Sequence, residues 1–160
     1  MKRINQILEL DSYRKYLKKN EKAEEDRKFC HHDMAHFLDV ARIAMILNEK
    51  EDYGIEEEFI YAAALLHDIG RWKQYKDGTP HEEASAELAP EILAKCGFSP
   101  EEISVIVTAI SHHRNSKIMD DKDLNGLLYR ADKLSRPCFA CKEEKNCNWK
   151  ADKKNMRLVL

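Results

Sequence analysis

An all-α fold of about six to seven helices is what this sequence predicts, and three observations predict it. Apolar residues recur at three- and four-residue spacing along nearly the whole chain. Glycine and proline are scarce, five and four in 160 residues. No stretch alternates apolar and polar side chains as a half-buried strand would.

The elements follow in order. Ile4, Ile7, Leu8, Tyr16 and Leu17 give helical spacing over residues 2–18. Residues 20–28 are highly charged and read as a connector or an exposed helical turn. Met34, Phe37, Leu38, Ala41, Ala44, Met45 and Ile46 make an amphipathic helix over 31–48. Gly54 separates it from a strongly apolar helix over about 55–68, expected to be the central buried one. A loop from Gln74 to Thr79 leads to a helix over 81–96, which Pro90 should kink or split. Gly97 suits the end of that helix. Ser99-Pro100-Glu101-Glu102 carries a capping serine, proline at the first helical position and glutamate at the third. This starts a helix that runs to about His112, and a further one spans 121–134. The tail from Arg136 is polar and cysteine-rich, and Trp149 is expected to pin it to the bundle.

A chain of this length fits one domain, 1–160, with a real core. Charge is uneven: residues 29–127 carry nine Lys/Arg against nineteen Asp/Glu. Such an acidic centre is a poor nucleic-acid surface. No apolar run approaches the roughly 20 residues of a membrane span, and the N-terminus has no secretory pattern. A cytoplasmic location is expected. Five cysteines, an odd number, argue against a secreted disulfide framework.

The chemistry concentrates in histidine and aspartate. His67 and Asp68 close the apolar helix in Leu65-Leu66-His67-Asp68-Ile69-Gly70-Arg71. Both residue types ligate divalent metals, and a helix C-terminus favours a cation nearby. His32 and His36 stand four apart, His81 opens a helix, His112 and His113 close one, and Asp132 sits in an otherwise apolar helical turn. A hydrolytic metal needs three or more protein ligands and an open position for water, and a bundle supplies them from several helices. Taken singly, such histidines are more often caps or surface residues, and His31 and His32 are read that way.

The order His36, His67-Asp68, Asp132 resembles the HD superfamily of metal-dependent phosphohydrolases. "HFLDVARIA" at 36–44, "ALLHDIGR" at 64–71 and "YRADKLS" at 129–135 carry the resemblance. "HEEASAELAPEIL" at 81–93 and "AISHHR" at 109–114 resemble the added histidine segments of members that hold two metals. The resemblance covers residues 30–136 and leaves 137–160 as a cysteine-containing tail. It implies an HD-domain helical bundle in which His36, His67, Asp68 and Asp132 bind a first metal. By the same analogy Asp68 bridges to a second held by His81 and His113, with His112 as a further candidate. The implied cofactor is one or two divalent ions: manganese, iron, nickel, cobalt, magnesium or zinc. The implied activity is hydrolysis of a nucleotide or another small phosphate ester.

Arg71, where many relatives carry lysine, is the candidate phosphate contact beside Asp68. Arg42, Lys133 and Arg136 are read as surface charges or ion-pair partners. The chain lacks the GYP segment of the cyclic-dinucleotide phosphodiesterases and has Arg114 where they have glutamate. Family membership leaves two alternatives open: a di-iron oxygenase, or a non-catalytic metal- or nucleotide-binding regulatory module. Cys138, Cys141 and Cys147 offer part of a structural zinc site, with Cys30 as the candidate fourth ligand. Oligomeric state is left open.

Overall fold

The structure, a computed structural model, describes residues 1–159. Among them are eight α-helices and four 3-10 turns, with no strand. The all-α expectation holds. Two of the eight come from places where one helix or a loop was expected.

α1 (Lys2–Glu9) and α2 (Asp11–Ala23) replace the helix expected over 2–18. Leu10 stands between them in extended conformation, φ −64° and ψ 128°. The break has a packing reason. Ile4 and Ile7 share one helical face, but Tyr13 would lie about 120° away from Ile7 on a straight helix. Turning the chain at Leu10 puts all three in the core, at 2%, 0% and 1% exposure.

α3 (Met34–Lys50) starts at Asp33, whose carboxylate caps it by accepting from the His36 amide at 3.0 Å. Residues 27–33 therefore lie outside any helix. α4 (Glu57–Leu66) is the central helix: Ala62 to Leu66 are all at 0% exposure. A helix buried all round carries apolar residues all round, and α4 packs against α1, α3, α7 and α8.

The second extra helix is α5 (Arg71–Asp77), ended by Gly78 at φ +84°. None of its residues is buried, so it shows no apolar stripe in the sequence. Its start is held instead by Asn20 of α2, which is fully buried. The Asn20 amide donates to the Asp68 carbonyl at 2.8 Å and accepts from the Trp72 amide at 2.8 Å. One side chain thus satisfies two backbone groups that the turn between helices would leave unpaired.

α6 (His81–Lys95) runs through Pro90 without a break. Pro90 and Ala86 are half-exposed, so water can satisfy the carbonyl that proline frees. α7 (Pro100–His112) begins with the expected capping box, both of its bonds present. α8 (Leu124–Leu134) is capped by Asp123 and packs on α3 and α7. The tail beyond it forms three 3-10 turns, Cys138–Ala140, Glu144–Asn146 and Ala151–Lys153, none with a buried residue. Asn155 ties the tail down: its side-chain amide donates to the carbonyls of Lys133, Leu134 and Arg136. Trp149 is 45% exposed and lies under the Arg136 guanidinium, 4.1 Å from ring centre, rather than in the bundle. No helix among the described residues is long and apolar enough to cross a membrane.

Gly70, two residues after His67-Asp68, reads in the sequence as the end of the apolar helix. It does something else. α4 stops at Leu66, and Gly70 caps α5 at φ −91°, a conformation open to any residue. What Gly70 provides is space: a Cβ there would lie 2.5 Å from backbone atoms of Ala84 and Ser85 in α6. Gly70→Ala should therefore destabilise by about 3 kcal/mol, because backbone has to move. Gly54→Ala, at φ +65° with nothing within 4 Å, should cost about 1 kcal/mol. Urea unfolding of both variants checks the order; equal losses would contradict the close-packing account.

Candidate metal centre

Five histidines and two aspartates converge where the ends of α3, α4, α6, α7 and α8 meet. His36 lies in the first turn of α3, His81 is the first residue of α6, and His113 is the C-cap of α7. His67 caps α4, and Asp68 follows it in the turn held by Asn20 and Gly70. Asp132 comes from the last turns of α8.

The two oxygens of Asp68 face different groups. Oδ1 lies 3.2 Å from His81 Nε2 and 3.6 Å from His113 Nε2. Oδ2 lies 3.5 Å from His67 Nε2 and 3.7 Å from His32 Nε2. His36 Nε2 stands 3.3 Å from His67 Nε2 and 3.6 Å from Asp132 Oδ1. Three sets could each hold an ion: His36, His67 and Asp132; Asp68, His81 and His113; and His32, His36 and Asp68.

The outer nitrogens are all engaged. His67 Nδ1 donates to the Ala64 carbonyl at 2.7 Å and His113 Nδ1 to the Ile110 carbonyl at 2.6 Å. Gln74 Oε1 lies 2.5 Å from His81 Nδ1, Ser135 Oγ 3.3 Å from His36 Nδ1, and Glu24 Oε1 2.7 Å from His32 Nδ1. A carbonyl oxygen can only accept, so Nδ1 of His67 and His113 carries the proton. Their Nε2 lone pairs then point inward, the arrangement usual for metal-binding histidine.

Electrostatics agree with a cation site. Burial pushes His36 down, His67 to about 3 and His81 to about 4, so these rings are neutral. Burial acts against the charge on Asp68 and Asp132, but the neighbouring histidines, and Lys133 for Asp132, hold both well below the usual carboxylate range. His113 moves upward, because the Asp68 carboxylate outweighs the effect of burial. Asp68 Oδ1 is buried and accepts no hydrogen bond. An ionised carboxylate oxygen that accepts no hydrogen bond and is ringed by imidazole nitrogens fits a bound divalent cation.

His36, His67, Asp68, Asp132, His81 and His113 are thus together. His112 is not: it ends α7 exposed, while its neighbour turns inward. Arg71 is at the centre, its Nη1 3.7 Å from Asp68 Oδ2 and its Nε 3.2 Å from Glu24. Lys133 pairs directly with Asp132, so it is part of the site and not a surface charge. Arg136 lines the cavity with Trp149, whereas Arg42 is exposed. Cys30, Cys138, Cys141 and Cys147 are half-buried and unpaired, and burial pushes the Cys30 thiol up. No cysteine belongs to the three ion-holding sets among the described residues.

Two residues were missed. His32 reads in the sequence as a cap or surface residue, and Glu24 lies in a charged stretch that reads as a connector or an exposed helical turn. The His32–His36 spacing was the available signal, but α3 begins only at Met34, so helical geometry does not place His32. Glu24 does, and it is 2% exposed.

A family profile described as the HD domain matches residues 34–136. The chain belongs to the HD-domain family. An uncharacterized Clostridium beijerinckii protein is 49% identical over 158 residues, 99% of each chain. A Bacillus subtilis protein named "Putative phosphohydrolase YueE" is 31% identical over 115 residues, 63% of this chain and 64% of that one. The 1.45 Å crystal structure of a predicted HD superfamily hydrolase from an uncultured Thermotogales bacterium is 26% identical. It superposes with a TM-score of 0.62, over 89% of this chain and 81% of that one. In this HD domain the histidine–aspartate centre coincides with the matched span, except His32 and Glu24, which precede it, as do the core residues Ile4, Ile7 and Tyr13.

Glu24 should leave a mark on acid stability. Burial opposes its charge, but hydrogen bonds from His32 and Tyr75 bring its carboxyl from 4.5 down to about 2. A group depressed on folding stabilises fully above its unfolded value and loses that contribution as pH falls towards its folded value. In chelator-treated protein, Glu24→Gln should cost roughly 2–3 kcal/mol at pH 7. That gap should hold above pH 4.5 and close towards pH 2. Thermal melts across this range measure it, and a gap that stays flat to pH 3 would refute the assignment.

Proposed function

We propose that this HD-domain protein is a metal-dependent phosphohydrolase acting on a nucleotide or another small phosphate ester. One observation carries the reading: the buried Asp68 carboxylate, each oxygen facing its own pair of histidines, lies at the base of a cation-lined cavity of about 930 Å³. His36, His67, Asp68 and Asp132 would hold one ion, and Asp68, His81 and His113 a second. A divalent ion bound there supplies Lewis acidity, which lowers the pKa of water and polarises a phosphoryl oxygen.

The chain's own residues supply the rest. Arg71 is clamped between Glu24 and Tyr75, with Asp68 on its inner side. Neighbouring carboxylates raise its pKa against the effect of burial, so it stays charged. A guanidinium fixed in this way can meet a phosphate without reorganising. Arg27, Lys133, Arg136 and Lys153 line the same cavity and favour an anionic substrate. Phe29, Tyr129 and Trp149 also line it and give the non-phosphate part apolar surface. The name of the Bacillus subtilis relative and the description of the Thermotogales protein as a predicted hydrolase support the same activity.

Metal analysis of purified protein, with turnover assays on nucleotides, dinucleoside polyphosphates and p-nitrophenyl phosphate in manganese, cobalt or nickel, tests this. Asp68→Ala should lose bound metal and about 10³-fold or more of the activity. Arg71→Ala should raise KM about tenfold with metal content intact. His112→Ala should change neither. Full activity in Asp68→Ala would sink the proposal, and iron content with oxygen consumption but no ester hydrolysis would replace it with an oxygenase.

A further inference from the structure

His32 is the one histidine of the centre that no helix positions. It lies in the segment between α2 and α3, and its position comes from a single carboxylate. Glu24, the C-cap of α2, accepts from the His32 backbone amide through Oε2 and meets His32 Nδ1 through Oε1, both at 2.7 Å. The same Oε1 accepts from Tyr75 at 2.7 Å and from Arg71 Nε at 3.2 Å. A carboxylate with so many donors is ionised and accepts only, so Nδ1 of His32 carries the proton, and in the neutral ring Nε2 carries the lone pair.

That lone pair has no use within the protein. Nε2 is 3.7 Å from Asp68 Oδ2, too far for a hydrogen bond. It faces the cavity, and the ligand atoms of His32, His36 and Asp68 lie within 4.8 Å of one another. Nitrogen and oxygen ligands about 2.1 Å from one ion are at most about 4.2 Å apart, so a few tenths of an ångström would close this set. The outer tie at Nδ1 and the inward Nε2 repeat the pattern of the other four rings.

We propose that His32 is a further metal ligand of this centre, on the Oδ2 side of Asp68, with Glu24 as the positioning residue that holds it there. Because Glu24 also holds Arg71, one carboxylate fixes a metal ligand and the phosphate-binding cation together. A histidine that merely packed against Glu24 would satisfy Nδ1 and leave Nε2 without a role beside two other ion-holding sets. The inference rests on the metal-centre reading above, but it concerns binding and not turnover.

The test uses the full chain stripped with chelator and titrated with Co²⁺, read by visible absorption. His32→Ala should weaken Co²⁺ affinity about 10–100-fold and change the shape of the d–d bands. Added imidazole should restore the wild-type bands in that variant. Glu24→Gln should weaken affinity about tenfold while keeping His32 in place, since an amide oxygen still accepts from Nδ1. Far-UV circular dichroism confirms folding; if His32→Ala does not fold, His32→Gln, close in volume, gives the same readout. Unchanged affinity and bands in the His32 variant overturn the proposal and leave the wild-type metal centre standing. A wild-type chain that takes up no Co²⁺ overturns both.

Discussion

Every part of the centre depends on where the four-residue turn from His67 to Gly70 is pressed. Gly70 lies so close to α6 that its missing side chain is the condition of contact, and its amide donates to Ser85 Oγ at 3.0 Å. From the other side Asn20 grips the Asp68 carbonyl. Between these two holds the Asp68 side chain can point only into the space where α3, α7 and α8 deliver their ligands. Moving α6 away by the width of a methyl group would carry His81, and its 3.2 Å approach to Asp68 Oδ1, with it.

This placement has an energetic cost that the rest of the bundle offsets. Five imidazoles and two carboxylates in one largely buried site destabilise a chain unless they are satisfied. The outer nitrogens are satisfied by protein, through two backbone carbonyls, Gln74, Ser135 and Glu24. The inner ones face each other and the two carboxylates across 3.2–3.9 Å without good hydrogen bonds. Rigidity for this comes from α4, whose run of buried alanines and leucines admits close neighbours on every side.

The sequence made the fold class and most of the centre legible because both leave periodic or ordered marks. The capping box at Ser99, the apolar run of α4 and the order His36, His67-Asp68, Asp132 all survived into three dimensions. Misreadings came where tertiary contacts overrode local pattern. Leu10 breaks a helix to re-aim Tyr13, and α5 forms on two hydrogen bonds from a distant asparagine. Pro90 sits where water can compensate it. His112 and His113 are indistinguishable as letters, and only the α7 C-terminus decides which turns inward. Glu24 looked like one charge among many because burial of a single carboxylate leaves no periodicity to detect.

The tail gives the cavity a wall of unusual construction. From Cys147 to Asn155 it lines the space above the centre, yet its three turns bury nothing. Little apolar surface is exposed when this wall lifts, and the main bonds lost are the three that Asn155 makes to the end of α8. Its opening free energy is therefore a small fraction of the global one. Amide exchange along the chain should fall into two classes, fast in the wall and slow in α4. The wall above the cavity can then open locally while the bundle beneath stays folded.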